Sequence, residues 1–139
     1  MSSKQVTNSI TYREGAIIDV HQLSALFTSS GIRRPTDDLD RLQKMIDNAN
    51  ITFTAWDGET LVAIARAVTD FVYCCYLSDL AVSKEYQGQG IGSALIEQLR
   101  SKLGTQVSLL LVSAPEATEF YPKAGMDRID HGWIIRRTS

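Results

Sequence analysis

Residues 87–92 read Gln-Gly-Gln-Gly-Ile-Gly, three glycines in five positions. Without side chains, glycines let main-chain N–H groups come close to a ligand. Ile91, Leu95, Ile96, Leu99 and Leu103 follow as one apolar stripe at helical spacing. A glycine turn that opens a helix suits a phosphate, because free N–H groups and the positive helix end meet the anion together. Two phosphate-binding patterns fail here. A Walker loop ends in Gly-Lys-Ser/Thr, where this chain has Gly-Ile-Gly-Ser. A dinucleotide fingerprint needs a sixth-place glycine, where Ser93 stands, and no acid follows on a second strand. What remains is Gln-x-x-Gly-x-Gly at Gln87, Gly90 and Gly92.

Asp79 is the second feature, a lone acid inside the apolar run Val72 to Val82. A buried carboxylate is costly without partners, so it either faces a reaction cleft or is tied to protein donors. The cysteines, Cys74 and Cys75, are adjacent and point to opposite faces of a strand, which predicts neither a disulfide framework nor a zinc set. No metal is expected. His21 and His131 are isolated and read as surface or satisfied residues.

These groups need a frame. Residues 10–13 alternate as a first strand; Ile17, Ile18, Leu23, Leu26 and Phe27 give a helix ended by Gly31. Arg33-Arg34-Pro35 is a loop, and Thr36 or Asp37 caps a second helix carrying Leu39, Leu42, Met45 and Ile46. Ile51–Trp56 and Leu61–Val68 form a hairpin about Asp57-Gly58. The run Val72–Val82 predicts a central strand covered on both faces. After the turn and its helix, Val107–Val112 predicts a strand, Pro115–Lys123 a helix, and Trp133–Ile135 a last strand.

The expected architecture is an α/β fold with a mixed sheet and about four helices, in a single domain over residues 1–139. The composition agrees: 44% hydrophobic and 22% charged residues suit a folded chain. A net charge of −2 without basic blocks argues against nucleic acid as a partner. No run approaches the ~18 apolar residues of a membrane span, and the polar N-terminus lacks a signal core, so a cytoplasmic protein is expected.

The segment from Tyr76 to Leu95 resembles the acyl-CoA motif of the GNAT N-acetyltransferase superfamily. Ala117 to Met126 resembles that family's helix end, A-x-x-F-Y-x-x-x-G-F, and the element order is similar over nearly the whole chain. The resemblance implies acetyl-CoA as cosubstrate, with its pyrophosphate on Gln87, Gly88, Gln89, Gly90, Ile91 and Gly92, then Ser93 and Ala94 in the first helical turn. It implies central strands that splay, so that the pantetheine arm pairs with the main chain of Leu80, Ala81 and Val82. Tyr121, from the Phe-Tyr pair, would be the general acid for the departing thiolate. Asp79 would take the proton of the acceptor ammonium, hold that ammonium in place, or else be structural.

The chain departs at Ser78 from acetyltransferases of the glucosamine-phosphate type, which often carry Glu before a similar Asp. It departs again at Ala114-Pro115, where many relatives carry Asn, and at Met126 for Phe. The function expected is acetyl transfer to a primary amine, of a small molecule first; protein lysine or N-terminal amines and a catalytically weak CoA-binding domain are the alternatives. Arg33-Arg34 reads as a solvated loop pair or as a hold on an anionic acceptor group, and a homodimer is possible.

Overall fold

The computed structural model describes residues 9–115 and 119–139. Five strands form one sheet in the order β1 (Ile10–Glu14), β2 (Ile51–Asp57), β3 (Thr60–Thr69), β4 (Cys74–Val82) and β5 (Ser108–Leu110). The first three pairings are antiparallel and β4–β5 is parallel, as a crossover through a helix requires. On one face lie α1 (Val20–Ser30) and α2 (Leu39–Asn48); on the other lies α3 (Ile91–Leu103), with the short α4 (Phe120–Lys123) beside it.

Local chemistry sets the helix ends. The Asp19 carboxylate caps α1 by accepting from Gln22 N–H, and Gly31 ends that helix at φ 85°. Asp38, rather than Thr36 or Asp37, caps α2 by accepting from Arg41 N–H. The apolar stripes then divide between two cores. Leu23, Leu26, Phe27 and Leu42 pack on Trp56, Ile64 and Ala81, whereas Ile91, Leu95, Ile96, Leu99 and Leu103 pack on Phe53, Val62, Cys75 and Leu77.

Two expectations are corrected. The strand covered on both faces is β3, the middle of the sheet, whose residues 61–67 are all buried. β4 alternates, with Cys74 and Tyr76 exposed and Cys75 and Leu77 buried in the α3 core. Trp133–Ile135 is not a strand: Trp133 is 95% and Ile135 99% exposed, with no sheet edge beside them. The splay falls where it was expected, between β4 and the strand that follows α3, which is the edge strand β5 among the described residues.

A β-bulge matters more than any of these. Arg66 pairs with Asp79 but Ala67 pairs with Leu77, so Ser78 is an extra residue in β4. Side chains alternate faces along a strand, and one extra residue flips everything after it. Leu77 faces α3, and the bulge sends Asp79 to the α1–α2 face instead of into the same core.

Candidate functional site

β4 and β5 pair only over Cys74↔Ser108, Cys75↔Leu109 and Tyr76↔Leu110. From Leu77 onward no strand among the described residues pairs with β4 on its β5 side, and this open edge includes Leu80, Ala81 and Val82. Leu80 and Val82 direct their side chains to the α3 core and Ala81 to the other core, so what they offer the gap is main chain.

The edge runs through the short 3-10 turn Lys84–Tyr86 into the glycine turn. Gly88 at φ 78° and Gly90 at φ 85° lie in the left-handed region, which side-chain-bearing residues rarely occupy. Gly90 is the N-cap of α3, with no side-chain cap. No described acceptor takes the N–H of Gly88, Gln89, Gly90, Ile91, Gly92 or Ser93, whereas Ala94 N–H already closes the first helical turn onto Gly90 O. Ala94 therefore offers no free donor. Gly92 is glycine for another reason: a Cβ there would meet Phe120 Cζ at 3.2 Å and Val82 Cγ2 at 3.7 Å. The Gln87 side chain braces the turn, donating to Val82 O at 2.9 Å and to Ser30 O at 3.4 Å. Tyr86 ties the same turn to the β2–β3 hairpin by donating to the Asp57 carboxylate, which pushes its phenol up to about 12.

Asp79 is wholly buried, and each of its oxygens accepts from one guanidinium, Arg34 Nε on one side and Arg66 Nε on the other. Arg34 Nη2 also donates to Ser78 O at 2.8 Å, while Arg66 donates to Ser78 Oγ and to Met45 O, both at 3.0 Å. The bulge, the α1–α2 loop and α2 are thus fastened at one point. Asp79 is tied to protein donors on both oxygens. Arg34 is not the solvated residue expected, although its neighbour Arg33 is exposed. The sequence signal for Arg66 was present, a charged residue in the apolar run Leu61–Val68, and only the hairpin register shows that it faces Asp79.

Tyr121 is half-buried on α4, edge-on to Phe120 with ring centroids 4.9 Å apart. No described residue bonds to its hydroxyl. Burial pushes the phenol above the ordinary tyrosine value, and the charge of Arg34 pulls it part of the way back. Ala117 and Thr118 of the second motif, with Glu116, lie outside the described residues. His21 and His131 are exposed, and His131 lies beside Asp130. A cavity of about 250 Å³ between β1 and the α2–β2 corner, lined by Glu14, Ile46, Asn50 and Phe71 among others, brings no reactive pair together.

The family model for the acetyltransferase (GNAT) family matches residues 17–126, which includes the open edge, the glycine turn and Tyr121. The chain belongs to the GNAT family. Among curated GNAT-like relatives, a histone acetyltransferase of Glycine max is 30% identical over 88% of this chain and 58% of its own length. A probable acetyltransferase of the same plant is 29% identical, over 88% of this chain and 54% of its own length. The chain thus spans a little over half the length of these relatives. Its fold is similar to that of a probable acetyltransferase from Staphylococcus aureus, at TM-score 0.76 and 24% identity over 91% of this chain and all of that one. It is also similar to an aminoglycoside N-acetyltransferase solved with CoA, at TM-score 0.69 and 14% identity over 94% and 95% of the two chains. No helix among the described residues is long and apolar enough to cross a membrane.

Proposed function

We propose that residues 1–139 form an N-acetyltransferase domain that moves an acetyl group from acetyl-CoA to a primary amine. One observation carries this reading: an unpaired strand edge leads directly into a turn whose six successive N–H groups, Gly88 to Ser93, have no described acceptor. Orphan donors at a helix start need an anion or water, and a pyrophosphate fits them. The main chain of Leu80, Ala81 and Val82 would pair with an extended amide-bearing arm as a strand would. Acetyl-CoA supplies an activated thioester. A main-chain N–H on the same edge can polarise its carbonyl as charge develops on oxygen. Tyr121 holds a neutral phenol at neutral pH and gives its proton to the departing sulfur as the amine attacks.

Asp79 is not given the proton from the amine, because both its oxygens are engaged and it has no exposed surface. Water at the open edge is the carrier instead. The acceptor is read first as a small-molecule amine. The histone acetyltransferase relative favours protein lysine as a second reading.

Calorimetric titration with acetyl-CoA, followed by thiol release against panels of small amines and lysine peptides, tests this. Binding should vanish when Gly88 and Gly90 are both replaced by valine, and Tyr121→Phe should keep binding while lowering turnover ~10²-fold or more. Undetectable binding at millimolar acetyl-CoA would overturn the reading, and binding without turnover on either panel would leave a CoA-binding domain.

A further inference from the structure

Val68, Tyr76 and Leu110 stand in one row across three strands. Val68 pairs with Tyr76 between β3 and β4, and Tyr76 pairs with Leu110 between β4 and β5. Side chains at paired positions point to the same face. Their chain neighbours Ala67, Cys75, Leu77 and Leu109 pack in or against the α3 core, so the row lies on the opposite face. There the three side chains belong to neither core and are 42–47% exposed. Tyr76↔Leu110 is also the last rung before β4 and β5 part. Just beyond it comes the Ser78 bulge, where Arg34 donates to the Ser78 carbonyl at 2.8 Å and Arg34 and Arg66 both donate to Asp79. We propose that the Val68–Tyr76–Leu110 row is the acceptor-binding surface, and that it takes a primary amine on an apolar chain or ring with no second positive charge. This deepens the proposed acetyl transfer and rests on it.

Two observations choose this occupant. The first is continuity with the open edge. With a pyrophosphate on Gly88–Ser93 and the arm along Val82, Ala81 and Leu80, the thioester end lies toward Ser78, beside the Tyr76–Leu110 rung. The α3 core closes one face of β4 there through Leu77 and Leu80, so an amine reaches the gap over the bare face. Its carbon body then rests on Val68, Tyr76 and Leu110 and takes their apolar surface out of water. The second observation is charge. Two guanidinium groups meet one carboxylate at the bulge, and among the described residues no second carboxylate pairs with either arginine. Arg33 beside them is exposed. The excess positive charge favours the neutral amine, the form that attacks a thioester, over its ammonium. It also repels a second cation on the acceptor, which weighs against polyamines and basic peptides.

Calorimetric titration of amines into the protein saturated with CoA reads acceptor binding without turnover. Hexylamine and ethylamine carry the same amine and differ by four methylenes; diaminohexane, with an amine at each end, adds a second ammonium to the longer chain. Hexylamine should bind roughly tenfold or more tightly than ethylamine, since an open sheet face covers only part of each added methylene. Diaminohexane should bind several-fold more weakly than hexylamine. Tyr76→Ser and Leu110→Ser, both at exposed side chains that the fold does not depend on, should each cut the preference for hexylamine by about threefold or more. Tyr76→Phe, which keeps the ring, should restore it. In turnover with acetyl-CoA the loss should appear in KM rather than in kcat. Equal affinity for hexylamine and ethylamine, a preference unchanged in both serine variants, or tighter binding of diaminohexane than of hexylamine overturns the proposal. The underlying reading fails separately, if the parent binds no acetyl-CoA or releases no thiol with any amine.

Discussion

Replacing Asp79 by asparagine keeps the shape of the side chain and removes its charge. The amide oxygen can still accept from one Nε, but the NH2 group then faces the other guanidinium, donor against donor. Removing one partner of a buried ion pair costs about 3–5 kcal/mol, because the remaining charge is stranded. Arg66 is almost wholly buried, whereas Arg34 is a quarter exposed and can rehydrate, so the lower part of that range applies, about 3–4 kcal/mol. A chain of 139 residues unfolds with an entropy of roughly 0.3 kcal/mol/K, so Tm should fall by about 10–14 °C. Losing one ordinary hydrogen bond, about 1 kcal/mol, would lower it by only ~3–4 °C. Thermal unfolding followed by circular dichroism separates the two cases. A drop under about 4 °C together with lost turnover would refute the clamp and return Asp79 to the role of base.

Other expectations follow from single contacts. Gly92→Val places a side chain against Phe120 and Val82, an overpacking cost of about 1–3 kcal/mol. It should lower Tm and, by moving Phe120, also lower turnover through Tyr121; full turnover would show that α4 is not held there. The Tyr86 phenol stands at about 12 in the folded protein against an ordinary 10.0, first because of its hydrogen bond to Asp57. Its raised folded-state value means that the stabilisation is whole below about pH 10 and is lost as pH rises toward 12. Tyr86→Phe should flatten the fall in denaturant midpoint over that window, and an unchanged slope would deny the bond. Trp133→Ala removes a side chain that is 95% exposed and should shift Tm by no more than about 2 °C. A larger loss would mean that the segment is covered in solution.

Local features of this protein were legible because local chemistry settles them. Asp57-Gly58 made its hairpin, Gly31 ended α1, and the apolar stripe at Ile91–Leu103 made α3. Even the glycine turn came through, although Gly92 proves to be small for packing while Gly88 and Gly90 are glycine for their backbone angles. Trp133–Ile135 misled because an apolar run predicts a strand only when an edge is within reach, and composition does not reveal the edge.

The amino-acid sequence by itself therefore determined where the turn, its helix and Tyr121 would lie, since each depends on neighbours a few residues away. Only the tertiary structure decided which groups meet Asp79. Strict alternation from Leu77 would have put that carboxylate among the apolar side chains under α3. One extra residue in β4, Ser78, turns it to the opposite face, where arginines 45 residues before it and 13 residues before it meet its two oxygens. A one-residue slip in pairing leaves no mark on periodicity beforehand, yet it reverses the face of every side chain that follows.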